Sequence, residues 1–312
     1  MSDATIHKPV LLKQVLDGLN IRHDGIYVDC TYGRGGHSTA ILKQLGENGR
    51  LFVFDRDPRA IWHARQLFGG DSRVIPIHAA FSTLQERLEV YEVPGSVDGL
   101  LLDLGVSSPQ LDDAEHGFSF LRDGKLDMRM NPDTGISAEE WINEADRDEI
   151  ENILRTYGEE RFARRIAGAL VNARASGPIT RTRQLADIVS SAVPTREKKK
   201  DPSTRTFLAI RIFVNDEIGE LKAVLKQVND VLRPGGRLVV ISFHSLEDRI
   251  VKRYMREEAS GGDFPPEIPV THDALVPRLR LIGKALKATG EEIKWNPRAR
   301  SAVMRVGEKI AA

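Results

Sequence analysis

A run of glycines and a downstream carboxylate are spaced in this chain to hold a nucleotide-like ligand. Gly25-Ile26-Tyr27-Val28-Asp29 reads as a short apolar strand passing into Cys30-Thr31-Tyr32-Gly33-Arg34-Gly35-Gly36-His37-Ser38, with helix-forming residues over 39–45 behind it. A glycine turn between strand and helix lets backbone N–H groups approach a ligand, because no Cβ stands in the way. Twenty residues beyond Gly35 a second apolar strand, Leu51-Phe52-Val53-Phe54, ends in Asp55. A carboxylate at that distance can accept hydrogen bonds from both hydroxyls of a ribose. The dinucleotide fingerprint is not met, since Ser38 follows Gly33 and Gly35 where a third glycine would stand. Asp29, ending the first strand, suits a ligand with positive charge and no pyrophosphate. S-adenosylmethionine has those properties, and NAD fits less well.

These residues need a scaffold, and the strand rhythm supplies one. Residues 73–78 and 97–105 read as third and fourth strands, the latter apolar on consecutive residues as in a strand covered on both faces. Helical patterns over 39–45, 58–68 and 81–92 lie between them. Strand and helix alternating in this way imply an α/β fold, a Rossmann-like doubly wound parallel sheet. The rhythm then breaks. The next clear strand, 237–243, follows the turn Leu232-Arg233-Pro234-Gly235-Gly236. More than 120 residues intervene where a crossover needs about 30. They carry helical periodicity over 139–157, 161–175 and 182–192. The expected organisation is an all-helical domain, 113–204, inserted into a ligand-binding domain of residues 1–112 and 205–312. One long helix over 206–232 would return the chain to the sheet, with 278–282 and 302–306 closing its edge.

Composition limits the function classes. The 312 residues are 41% hydrophobic, enough for a well-formed core, and contain no run approaching a membrane span. The first nine residues lack a secretory signal's apolar stretch, and the one cysteine, Cys30, excludes an internal disulfide framework. A reducing, cytoplasmic location is expected, with no metal site. Net charge is zero, yet residues 81–150 carry 17 acids against 5 bases and residues 151–211 carry 13 bases against 6 acids. The basic block includes Arg161, Arg164, Arg165, Arg174, Arg181, Arg183, Arg196 and Lys198-Lys199-Lys200. It can serve as a phosphate-contacting surface or as a solvated helix face.

Two further polar segments follow strand ends. Asp103 leads into Gly105-Val106-Ser107-Ser108-Pro109-Gln110, and Ser242-Phe243 into His244-Ser245-Leu246-Glu247-Asp248. Each can cap a helix, through Ser107 or Ser108 in the first and Ser245 with Glu247 and Asp248 in the second. Each also sits at the sheet edge where open α/β folds bind ligands.

With these residues in view, the chain resembles the ribosomal RNA small subunit methyltransferase H family. The resemblance is carried by the stretch from Val28 to Ser38, by Asp103-Leu104-Gly105-Val106-Ser107-Ser108-Pro109-Gln110-Leu111-Asp112, and by Gly124-Lys125-Leu126-Asp127-Met128-Arg129-Met130. Val214-Asn215-Asp216-Glu217, the segment Ser242 to Arg249 and Asn296-Pro297-Arg298-Ala299-Arg300-Ser301-Ala302 complete it, in the family's order over residues 7–309. Ala299 stands where a serine is expected.

The resemblance implies S-adenosylmethionine-dependent N4-methylation of a cytidine in the decoding centre (P site) of 16S rRNA in the small ribosomal subunit. It implies that Gly35, Gly36 and His37 line the methionine end of the cofactor, that Asp55 holds the ribose and that Phe81 packs by the adenine. Asp103 and Gln110 would complete the pocket.

The chemistry agrees. Methylating cytosine C5 needs an attacking cysteine, and Cys30 lacks that context. An exocyclic amine needs acceptors that hold its hydrogens and turn its lone pair to the donor. Asp103, Ser107 and Ser108 are the candidates, with His244 to orient the base or move a proton. Phe243, Trp141 or Tyr157 could stack on the base or belong to a core. The basic insert would then contact RNA. The partner is 16S rRNA, with no membrane and a homodimer left open. The alternatives are a small-molecule methyltransferase and a ribosome-assembly factor with a vestigial pocket.

Overall fold

A computed structural model describes residues 9–194, 201–262 and 276–311 of the chain. Arg196, Lys198, Lys199 and Lys200 of the basic block, and the N-terminal stretch up to Lys8, lie outside the described residues. The chain divides into a sheet unit, Met1–Gly105 with Gly219–Ala312, and a helical unit, Val106–Ile218.

The elements follow one another as α1 (Leu12–Leu19), β1 (Ile26–Asp29), α2 (Gly36–Leu42), β2 (Arg50–Asp55), α3 (Pro58–Phe68), β3 (Val74–His78), α4 (Leu84–Glu89) and β4 (Val97–Asp103). The helical unit supplies α5 (Ser108–Asp112), α6 (Ala138–Glu144), α7 (Arg147–Gly158), α8 (Ala163–Arg174), α9 (Thr182–Ala192) and α10 (Ser203–Val214). The chain returns through α11 (Glu217–Val231) to β5 (Leu232–Ser242) and α12 (Ser245–Ser260). Then come β6 (Leu279–Leu281), β7 (Leu286–Lys287), α13 (Gly290–Trp295) and β8 (Val303–Lys309).

The strands form one sheet in the order β3-β2-β1-β4-β5-β8-β6, with β7 paired to β8. β1 to β5 run parallel, and β8 is antiparallel to β5. This is the Rossmann-like α/β sheet expected, and the late segments do close its edge. The consecutive leucines of β4 sort by the pleat: Leu101 joins a core cluster with Val239 and Ile241, while Leu100 and Leu102 join the opposite cluster with Leu238 and Val240. Both faces are therefore buried, which is why β4 shows no polar alternation. Among the described residues no helix is long and apolar enough to cross a membrane.

Three local expectations need correction. The helical unit begins at Val106 and runs to Ile218, further at both ends than 113–204, because α10 packs in its core through Phe207, Ala209 and Ile210. The helix expected over 206–232 is two helices. Asn215 breaks it by accepting the Met130 N–H at 2.8 Å and donating to the Met128 carbonyl at 2.7 Å, and Asp216 turns to φ +45°. The helix expected over 139–157 likewise splits into α6 and α7. α1 carries no side-chain N-cap signal; instead Leu11 donates its N–H to the buried Glu292 carboxylate, 2.7 Å away and 281 residues on.

The Pro234-Gly235-Gly236 turn lies within β5 as an irregularity in its pairing with β4, between Val97 and Gly99. Asp98, opposite it, accepts the Ile26 N–H at 2.9 Å and the Arg233 Nε–H at 2.6 Å, tying β1, β4 and β5 together at their N-terminal ends. Removing its carboxylate leaves a guanidinium and a backbone donor unpaired in a partly buried site. Asp98→Ala is therefore expected to destabilise the sheet unit by about 3 kcal/mol, measured by urea unfolding with m unchanged.

Candidate functional site

The glycine loop is built by the ends of β1 and β2. Asp29, fully buried, accepts the Thr31 N–H at 3.1 Å and the Ser38 hydroxyl at 2.6 Å, so the start of α2 is tied to the end of β1. Burial raises its carboxyl above the ordinary range, and the Ser38 hydrogen bond opposes that shift. Both carboxylate oxygens of Asp29 therefore serve the loop itself. Asp55, at the end of β2, accepts the Gly33 N–H at 2.8 Å through one oxygen and the Asp57 N–H at 2.8 Å through the other. Each oxygen keeps a second lone pair for a ligand hydroxyl. Desolvation moves the Asp55 carboxyl up to about 7 against the pull of those two N–H groups.

Between these anchors the loop adopts left-handed backbone at Gly33 (φ +55°) and Gly35 (φ +72°). A Cβ on Gly35 would lie 2.5 Å from the Tyr32 ring. Tyr32 is itself fixed: its hydroxyl lies 2.7 Å from Nδ1 of His63 on α3. Burial pushes the Tyr32 hydroxyl up, while burial and Arg34 push the His63 imidazole down. A neutral imidazole can share that hydrogen bond with the phenol in either direction, according to its tautomer. Nothing in the spacing of Tyr32 and His63 announced this contact.

At the end of β4, Asp103 donates its N–H to the Thr31 hydroxyl at 2.7 Å, which joins β4 to the same loop. His37, at the start of α2, places Nε2 3.6 Å from Asp103 Oδ2. Both His37 ring nitrogens and Asp103 Oδ1 are buried without a hydrogen-bond partner among the described residues. Polar atoms in that state call for a ligand, water or ion. The sheet's C-terminal edge thus brings Gly35, Gly36, His37, Asp55 and Asp103 around one glycine loop. Phe81 opens a 3-10 turn, Phe81–Thr83, after β3. That turn is anchored by Ser82 N–H to Glu220 at 3.2 Å, and the following Gln85 N–H meets Gln227 at 2.8 Å, both partners on α11. These donors and acceptors fit an adenosine carrying an amino-acid tail.

The remaining candidates have local duties. His244, rather than Ser245, is the N-cap of α12, its ring accepting the Glu247 N–H. Glu247 returns the cap by accepting the His244 N–H at 3.3 Å and also accepts the Phe243 N–H at 2.8 Å, and Asp248 pairs with Arg305 of β8 at 2.7 Å. Ser107, Ser108 and Gln110 lie in the helical unit. Ser107 is the N-cap of α5, and the buried Gln110 accepts the Ser107 N–H at 2.9 Å. Trp141 is buried in the helical core against Phe213 and donates to Glu149 at 2.8 Å; its role is packing. Tyr157 packs against the same core. Cys30 is buried, and its thiol is pushed well up by desolvation.

The loop geometry separates its two central glycines. Gly36 has right-handed backbone, and a Cβ there would meet the Pro9 ring at 3.1 Å. Gly35→Ala is expected to lower stability by about 1–3 kcal/mol, and Gly36→Ala by less, in thermal unfolding of the ligand-free protein. Equal losses would show that the left-handed turn is not what Gly35 supplies.

The sequence model of the MraW methylase family matches residues 4–310, nearly the whole chain. Among solved structures, a protein assigned as an rRNA-methylase from Clostridium thermocellum is 13% identical over 98% of this chain and 100% of its own, with a TM-score of 0.46. A rRNA methylase from Streptococcus thermophilus is 13% identical over 99% of this chain and 100% of its own, with a TM-score of 0.42. A SAM-dependent O-methyltransferase from Thermotoga maritima is 10% identical over 99% of this chain and 69% of its own, with a TM-score of 0.42. The family match carries the assignment, and S-adenosylmethionine is the methyl donor. Family match, glycine loop, strand-end carboxylates and motif order agree: the chain is an S-adenosylmethionine-dependent methyltransferase and belongs to the MraW methylase family.

Proposed function

We propose that this methyltransferase acts on ribosomal RNA, methylating N4 of one cytidine in the decoding centre of 16S rRNA within the small subunit. The observation that carries the reading is the polar cluster at the end of β4, where Asp103 Oδ1 and both His37 nitrogens are buried without a hydrogen-bond partner among the described residues. The family's methylase identity and the ordered motifs of the chain give the substrate class its support. Burial of Cys30 with a raised thiol argues against covalent attack on the cytosine ring.

When bound, S-adenosylmethionine supplies an electrophilic methyl group. The chain's own residues do the positioning. Gly35 and Gly36 admit the amino-acid tail close to backbone, with His37 beside it; Asp55 accepts the ribose hydroxyls; Phe81 packs by the adenine. Asp103 would accept a hydrogen bond from the target amine, which turns the nitrogen lone pair toward the donor. Ser107, Ser108 and Gln110 enter through their motif, the serines as further amine acceptors. His244 is a candidate to orient the base, a duty compatible with its capping of α12. The basic residues of the helical unit, Arg161, Arg164 and Arg165 among them, serve as phosphate contacts. The protein works in the cytoplasm, where small subunits are made.

Asp55 makes cofactor affinity depend on pH. Ribose hydroxyls donate, so they select the ionised carboxylate, and binding releases a proton where Asp55 is still protonated. Affinity is expected to rise by up to about tenfold per pH unit below 7 and to level off above it. Calorimetry at pH 6, 7 and 8 reads this directly, and Asp55→Asn should flatten the profile. In the ligand-free protein the sign reverses. A raised folded pKa favours the protonated form, so this contribution to stability is full below pH about 4 and declines as pH rises through about 7.

The decisive assay is methyl transfer from labelled S-adenosylmethionine to small subunits lacking the modification, mapped by nuclease digestion and mass spectrometry. The expected product is N4-methylcytidine at one P-site nucleotide, with transfer falling about a hundredfold or more in Asp103→Ala. Label recovered as 5-methylcytidine, or transfer to small molecules without RNA, would refute the reading.

A further inference from the structure

The C-terminal motif Asn296 to Ala302 takes no part in the reading above, yet it sits at the ligand-binding edge of the sheet. β8 begins at Val303, paired with Ser242 at the C-terminal end of β5, because the two strands are antiparallel. The 3-10 turn Pro297–Ser301 and β7, whose Lys287 pairs with Val303, therefore flank the edge that carries Asp103. β8 lies two strand spacings from β4, about 10 Å. α13 and β7 both pack on that turn.

Charge in this segment is distributed unusually. Its first two arginines are paired, Arg278 with Glu258 at 2.7 Å and Arg280 with Glu308 at 2.5 Å. Beyond them, Lys284, Lys287, Lys294 and Arg300 are exposed and form no ion pair among the described residues. Of the two acids nearby, Glu292 is buried on the Leu11 N–H, which leaves Glu291 as the exposed one. Amid the cations Trp295 keeps 52% of its surface exposed. Unpaired cations interleaved with an exposed indole match what a single-stranded nucleic acid offers: phosphates at intervals and a base face for stacking.

We propose that β7, α13 and the turn Pro297–Ser301 form a track for single-stranded RNA flanking the target nucleotide, with Lys287, Lys294 and Arg300 on phosphates and Trp295 stacked on a base. The proposal rests on the reading of RNA as substrate and adds a second contact surface, on the sheet unit itself. An acidic protein surface would engage the cations but offer no base face to the exposed indole surface.

The test compares the wild-type protein with the triple variant Lys287→Glu, Lys294→Glu, Arg300→Glu and with Trp295→Ala. The probes are a mixed-sequence single-stranded RNA oligonucleotide and unmodified small subunits, over a range of salt. Calorimetric affinity for S-adenosylmethionine is measured alongside and should stay unchanged, which certifies the sheet unit in both variants. The triple variant should lose at least tenfold in RNA affinity, and its slope of log K against log salt should fall by about 2, three contacts at about 0.7 each. Trp295→Ala should weaken binding about tenfold with the slope unchanged, since stacking releases no counterions. Wild-type affinity and slope in the triple variant overturn the track while leaving the substrate assignment standing. A triple variant that binds the oligonucleotide normally but fails on subunits points to a ribosomal protein and also overturns it. Wild-type protein that binds neither probe overturns the substrate reading and the track together.

Discussion

The site depends on two carboxylates standing at the ends of adjacent parallel strands, whose oxygens accept from backbone and hydroxyl donors of the turns that follow those strands. Asp29 holds Thr31 and Ser38, and Asp55 holds Gly33 and Asp57. A glycine-rich loop has more conformational freedom to lose than other loops, so it needs such anchors to present one surface. Parallel strand pairing supplies them: Asp29 is level with Val53, and β2 runs two residues further along the same edge to Asp55. Thr31 extends the lattice to β4 by accepting the Asp103 N–H. Three strand ends are thereby locked to one loop, and the polar atoms of His37 and Asp103 that lack a hydrogen-bond partner among the described residues are held where a ligand can use them.

The same economy explains the second layer of polar residues. His244, Glu247 and Asp248 look like a catalytic triplet when written in a line, yet Glu247 closes the cap of α12 and Asp248 fixes β8 through Arg305. Capping groups at the edge of a parallel sheet necessarily lie near its ligands, because helix N-termini and strand C-termini meet there. Structural and chemical duty can thus fall on one residue, and residue type alone does not separate them.

The two units have separate hydrophobic cores. The helical unit has its own core, in which Trp141, Leu154, Ile166 and Phe207 take part, and each face of the sheet has another. The insertion leaves the sheet after β4 and returns before β5, whose pairing is intact along Gly99 to Asp103. Loop-closure entropy grows only slowly with length, so a folded insert costs a parallel pair little.

The linear sequence determined whatever depends on local order. The β1 glycine turn, Asp55 twenty residues on, the unalternating apolar run of β4 and the helix Pro58–Phe68 were all legible, because strand burial and turn chemistry act over a few residues. The family motifs were legible for the same reason, as ordered short strings. Tertiary structure decided what depends on groups far apart in the chain. Asn215 stops a helix by bonding to the loop at Met128 and Met130, Glu292 caps α1 from 281 residues away, and Tyr32 meets His63 through the packing of α3. No propensity encodes such contacts, since each exists only once the backbone has brought its two partners together. The pKa of Asp55 belongs to the same class: its type and position were visible, but the desolvation that lifts it to about 7 is a property of the surrounding atoms.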